Sequence, residues 1–426
     1  MSGGDWNKVR YTLDVSENFE DLHGSPWYAD TVYEKFSAAE YARRYEAARA
    51  LMARDKVEAL LLCGSPNIYS HGGGVTWATG MIDDRGLAQY VILPRAGEPT
   101  LVYPHPGCHI EAIRKQVSIS DVRDGHHGQF GAVLAGRLKE LKLEKARIGI
   151  VAADRTGPEY MGVSTYLELK KQLPDAEFVW MPLALHELSH KKSAEELRAA
   201  RKAGELAIAA LEAVAARAKP GVHEYQLAAA ATHAVMDGGG RVHLLMIGST
   251  SQHDPKLIFP NPNPSSRVLK EGDIILAELA MSYMGYSAKI GHPISIGKPT
   301  QRYDDFFKKV VLPGYKAVRG ALGPGKTLQS VQELSKNVFR QNGAQSRPII
   351  MHGIDLITSV PFVCTDEVKG KPYDMVMQPG MTYAIEITPV NSDGTFGLFF
   401  SRTFVITETG VDELTSYPID ELIVAG

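Results

Sequence analysis

A capping box at one end and a Pro-Gly stop at the other bracket the run from Ser193 to Gly221, and this helix divides the chain into two differently patterned regions. Ser193 and, three residues on, Glu196 can satisfy the first free helix amides reciprocally, and Pro220–Gly221 ends the helix. Before it, from Ser37 to about residue 185, helical and strand patterns alternate. AAEYARRYEAARALMARDKV has helical spacing, and VEALLLCG reads as a short buried strand. GLAQYVILPRAGEPTLVYP reads as two strands joined by a turn at Arg95–Pro99. The helix FGAVLAGRLKELK then leads into the strand ARIGIVAAD. The alternation predicts a mixed α/β domain over residues 37–189, after a polar surface arm over 1–36. After the dividing helix comes a second, EYQLAAAATHAVMDGGG. Strand-like runs follow at 242–248, 273–281, 293–297, 381–388 and 398–407, with helices at about 303–320 and 328–342. Segregated helices and strands predict an α+β domain over 190–426.

Composition narrows the function classes. A chain of 426 residues is too long for one ordinary core. A net charge of -3 without a basic block leaves nucleic acid no electrostatic footprint. No apolar run reaches the roughly 18 to 20 residues of a membrane-spanning helix, and the start MSGGDWNKVRYTLD lacks the apolar core of a secretory signal. Three scattered cysteines, Cys63, Cys108 and Cys364, argue against a disulfide framework or a zinc site and fit a reducing cytoplasm.

Three segments resemble the pita-bread family of creatinase, prolidase and aminopeptidase P. KKSAEELRAARKAGELA is similar to the linker helix that opens its catalytic domain. LKEGDIILAELAMSYMGYSAKIGHPISIG resembles its central hairpin, and MQPGMTYAIEITPV with LFFSRTFVITETG its closing strands. The resemblance spans about residues 37 to 415 and implies a creatinase-like N-terminal domain followed by a pita-bread catalytic domain. Most members hold two divalent cations with two aspartates, a histidine and two glutamates, since bridging carboxylates let two hard cations activate one water. In this chain the first aspartate slot is Glu278, and the second, eleven residues on, is Lys289. His352 and Glu386 fill the histidine slot and the first glutamate slot, and the last glutamate slot falls on Ser401. A protonated amine is no metal ligand, so the slots point away from a dinuclear site and toward no cofactor. One divalent cation at Glu278, His352 and Glu386 is the alternative. Creatinase works without metal on altered slots, and ectoine hydrolase also carries a glutamate in the first position.

By this resemblance the expected reaction is metal-independent hydrolysis of a C–N bond in a small polar, carboxylate-bearing molecule. Lys289 would hold Glu278 and Glu386 ionised, one of the two would act as general base, and His352 would protonate the leaving nitrogen. The rivals are a lyase using the same pocket, a metal-dependent Xaa-Pro peptidase, and an inactive binding relative in which Lys289 only neutralises inherited carboxylates. Two histidine positions usual in the family are Asn261 and Ser359 here, and His253 is the candidate to reach the pocket from a nearby loop. With Ser401 these make up the expected substrate contacts, together with Arg85 and Trp77. The resemblance implies a homodimer with the site at the interface, where Arg85 of a neighbouring subunit grips the substrate carboxylate. Set against that, Arg85 can be a surface arginine paired with Asp83 or Asp84, and Trp77 can be core.

Overall fold

The computed structural model describes residues 28–64, 72–82, 86–105, 108–152, 160–356, 358–365 and 375–426. The first of the two patterned regions builds a six-stranded mixed sheet. Its strands are β1 (Ala59–Gly64), β2 (Gln89–Pro94), β3 (Thr100–Tyr103), β4 (Asp121–Asp124), β5 (Arg147–Val151) and β6 (Glu177–Trp180), in the order β4-β3-β2-β1-β5-β6. β1 is buried along its whole length, as an unbroken apolar run in a central strand should be. The helix Ala38–Asp55 packs on one face, capped by Ser37, whose hydroxyl accepts from the Glu40 amide. The glycine run also opens a helix, Gly73–Thr79, which sequence pattern does not reveal; Gly72 caps it at φ +113°.

The dividing helix forms over Ala194–Arg217 with its capping box made. Ala199, Ala203, Leu206, Ala210 and Val214 line its buried stripe. Gly204 is required there, because a Cβ would strike the backbone carbonyl of Leu414. Two sheets carry the rest of the second region. One holds β7 (Arg241–Ser251), β8 (Asp273–Tyr283), β9 (Tyr286–Ile290), β10 (Ile294–Ile296) and β18 (Ile423–Ala425), with β9 paired on β8. The other runs β13-β12-β14-β16-β17, made of β12 (Ile349–Ile354), β13 (Thr358–Cys364), β14 (Thr382–Ile387), β16 (Phe400–Ile406) and β17 (Val411–Glu413). A short ribbon of β11 (Ala344–Ser346) with β15 (Pro389–Asn391) flanks them. The sequence pattern finds β7, β8, β10, β14 and β16, but not β12 and β13. The helix expected near 303–320 is interrupted by a π turn over Phe307–Val311.

The two β-rich halves are stitched together at β9 and β16. Gly291 and Ser401 exchange backbone hydrogen bonds of 2.9 and 3.0 Å. Thr403 bonds the amide and the carbonyl of Lys289 through its hydroxyl, at 2.8 and 2.9 Å. The N-terminal sheet is tied on through Arg44, which is wholly buried. Its guanidinium reaches Glu40, the Trp77 carbonyl at 2.7 Å and the Tyr286 hydroxyl at 3.2 Å, and lies 3.3 Å from Glu196. One cation thus joins the first helix, the glycine-opened helix, the dividing helix and β9. Replacing it by alanine leaves the buried Glu40 and Glu196 with only the more exposed Arg43 as charge partner, at 2.7 and 3.0 Å. We expect Arg44→Ala to lower the unfolding free energy by about 3–5 kcal/mol in urea titration; a loss below about 1 kcal/mol would show the network to be structurally idle.

Candidate active site

A two-residue turn decides where Lys289 points. Met284 (φ 49°) and Gly285 (φ 85°) both lie in the left-handed region, the pattern of a type I′ hairpin turn, and set Tyr283 opposite Tyr286. In that register Lys289 pairs with Ala280, so its side chain leaves the sheet on the same face as Glu278, two residues back. On the other sheet His352 pairs with Ala384 and Glu386 with Ser401, which puts His352, Glu386 and Ser401 on one face. The two faces meet.

At their junction the Lys289 ammonium donates to Glu278 Oε1 at 2.8 Å, to His352 Nε2 at 2.7 Å, and to Glu386 Oε2. Its three N–H donors therefore have three acceptors. His352 Nδ1 lies 2.8 Å from the Gly353 carbonyl, which can only accept. The proton is then on Nδ1, and Nε2 presents its lone pair to Lys289. All four groups are buried, with Lys289 only 2% exposed.

Their charge states diverge. Burial, then the Glu386 charge, pushes the Glu278 carboxyl up to about 7 against the pull of Lys289. Burial alone would raise Glu386 as well, but the Lys289 ammonium holds it well below the usual carboxylate range. Burial draws the Lys289 ammonium down, and the two carboxylates more than restore it, so its pKa ends above the ordinary value. Burial and Lys289 both depress the His352 imidazole, which stays neutral. One carboxyl is thus poised to exchange a proton near neutral pH, and the other is fixed as an anion.

The remaining expected contacts divide. Ser401 is fully buried beside the cluster, and its hydroxyl has no partner among the described residues. Asn261 packs where a Cβ on Gly248 would lie, on the face that Met246 shares with Glu278, and so stands on the cluster's side of that sheet. His253 does not reach the site: it is exposed beside Gly272, at the end of β7–β8 where Ser251 faces Asp273, five residues along β8 from Glu278. Trp77 is 0% exposed inside the N-terminal core, so the core reading holds and the substrate contact does not. Arg85 lies outside the described residues, as does the side chain of Ser359, whose backbone pairs with Gly353. Sequence reasoning passed over Arg347 and Phe259, which stack with the guanidinium carbon 3.8 Å from the ring centroid, Arg347 lying near enough for its charge to lower the pKa of Glu278. No spacing rule links residues so far apart; only the neighbourhood of Arg347 to His352 was available as a signal.

Two family profiles match in tandem. The creatinase/prolidase N-terminal domain covers residues 44–188, and metallopeptidase family M24 covers 198–408. The chain belongs to the creatinase, prolidase and aminopeptidase P family. It has the pita-bread fold and is an enzyme of a family that hydrolyses C–N bonds. A Xaa-Pro dipeptidase of Pyrococcus horikoshii is 23% identical over 371 residues, covering 85% of this chain and 94% of the relative. A dimethylsulfoniopropionate lyase of Roseovarius nubinhibens is 35% identical over 100 residues, 23% of this chain and 22% of its own. Among solved structures, an X-Pro aminopeptidase of Thermotoga maritima superposes with a TM-score of 0.73 at 17% identity, covering 89% of this chain and 99% of that one. Among the described residues no helix is long and apolar enough to cross a membrane.

The ion cluster has an energetic signature. Lys289→Met leaves two buried carboxylates unpaired and should cost about 3–5 kcal/mol of stability by urea denaturation. Adding Glu278→Gln and Glu386→Gln should restore most of that loss. A Lys289→Met protein as stable as the parent would mean that the three charges do not depend on one another.

Proposed function

We propose that this chain hydrolyses a C–N bond in a small polar, carboxylate-bearing molecule, without a metal ion. The observation that carries the reading is the seat of Lys289. Its ammonium lies among Glu278, His352 and Glu386, the positions that hold divalent cations in relatives with the full ligand set. The donor set does not fit two such cations: one slot is a cation itself, and another is the neutral hydroxyl of Ser401.

The chemistry follows from the charge states. Glu278, with its pKa near 7, takes a proton from water as the water oxygen bonds to the carbon of the scissile C–N group. The unpartnered Ser401 hydroxyl is available to hold that water. Lys289 lends its positive charge to the oxyanion that forms, and Glu386 keeps the lysine protonated. The C–N bond then breaks, and Glu278 returns its proton to the leaving nitrogen. This differs from the role the sequence suggested for His352. With Nε2 turned to Lys289 and its pKa depressed, the imidazole orients the ammonium and has no proton to give from that nitrogen.

A base beside a cation also serves elimination, and the 100-residue match to a dimethylsulfoniopropionate lyase favours that as the second reading. Product analysis separates the two. Turnover of small carboxylate-bearing amides, ureas and related compounds should release ammonia, urea or an amine; an unsaturated product instead would establish the lyase. kcat/KM should rise with pH through an apparent pKa near 7 as Glu278 loses its proton. Lys289→Ala, checked for folding, should abolish turnover, and full activity in that variant would sink the reading.

A further inference from the structure

We infer that Arg347, from the same chain as the catalytic cluster, is the residue that grips the substrate carboxylate. The inference rests on the carboxylate-bearing substrate proposed above and names the side chain that recognises it. Arg347 is half-buried at the head of β12, the strand that carries His352. Its backbone amide donates to the Thr388 carbonyl at 3.1 Å, two residues past Glu386, so its root is fixed to both site-bearing strands. Its guanidinium lies with its carbon 3.8 Å from the centroid of the Phe259 ring. Phe259 meets Phe399 edge to face at 5.1 Å, and Phe399 packs against Gly291, the residue that bridges to Ser401. An aromatic path therefore leads from Arg347 to the wall of the catalytic cluster.

The electrostatics of this arginine are unusual for the molecule. Most of the other buried or half-buried guanidiniums have carboxylate partners: Arg44 has Glu40, Arg123 has Asp121, and Arg267 has Asp273. Among the described residues Arg347 has neither a salt bridge nor a side-chain hydrogen bond, only the ring beneath it. Its charge still reaches the cluster and lowers the pKa of Glu278. Stacking occupies one face of a guanidinium and leaves its N–H edge free, the edge that binds a carboxylate bidentately. A substrate carboxylate held there would supply the missing counter-charge. It would also fix the anionic end of the substrate relative to the bond presented to Glu278.

Binding tests this without turnover, so its outcome is separate from that of the proposed hydrolysis. Protein is titrated at constant ionic strength with a panel of C2–C6 carboxylates, among them N-acetylglycine, and with the matching neutral amides such as N-acetylglycinamide. The wild type should bind at least one acid about tenfold or more tightly than its amide. Arg347→Gln should weaken that acid about 10- to 100-fold and leave the amide unchanged. Arg347→Lys, which keeps the charge but not the fork, should recover only part of the preference. Circular dichroism confirms that both variants fold. The assignment is overturned if the wild type prefers no acid in the panel, or if the preference survives in Arg347→Gln. It is equally overturned if Arg85→Gln removes the preference while Arg347→Gln keeps it, since the carboxylate would then belong to Arg85.

Discussion

A single ammonium group holds the centre of this structure. Lys289 projects from one sheet and is bonded to Glu278 of its own sheet and to His352 and Glu386 of the other. Both halves of the pita-bread place a carboxylate on the inner face, and burying two such groups as anions requires a cation between them. In most of the family, metal ions serve this purpose. Here the countercharge is covalently part of β9, and the hairpin turn at Met284–Gly285 fixes its register. The backbone of Lys289 is clamped in turn by the Thr403 hydroxyl. The site is thus pre-organised by ordinary β-sheet geometry.

The same arrangement explains why two chemically alike residues behave differently. Glu278 and Glu386 both face Lys289, whose ammonium holds Glu386 ionised, and the negative charge settles there. Glu278 then feels burial and a neighbouring anion together, and its pKa rises. Two carboxyls with separated affinities for a proton are what proton-transfer chemistry near neutral pH requires. The segment beside them is pinned at a distance. Glu224 accepts from Ser249 and Ser265, and Arg267 is paired with Asp273, so both ends of the segment bearing Phe259 and Asn261 are tied down.

What the sequence could disclose follows from how each feature is encoded. The cluster was legible through the family resemblance, whose ligand slots fall on Glu278, Lys289, His352, Glu386 and Ser401; the eleven residues from Glu278 to Lys289 also suit two strands joined by a tight hairpin. The dividing helix was legible from its capping box and its stop. Trp77 was ambiguous because the helix that buries it begins with glycines, which propensity rules read as loop; Gly74 is small because a Cβ there would crowd Leu62 at 3.3 Å. His253 was misplaced because its nearness to Asn261 in sequence does not survive the long excursion between β7 and β8. Arg347 was invisible because its partner, Phe259, is brought to it by tertiary packing alone. Strands β12 and β13 were missed although β12 carries His352, since Ile349–Ile354 is too short and too uniformly buried to show alternation.

The claim at the centre of this account is that a lysine ammonium stands where relatives place metal, and metal content tests it most directly. Purified, untagged protein should carry less than about a tenth of an equivalent of any divalent metal per chain by elemental analysis, and its turnover should be the same before and after chelation. One firmly bound equivalent, with activity lost on chelation and restored by the metal, would contradict it, because Lys289 and a cation cannot share Glu278, His352 and Glu386.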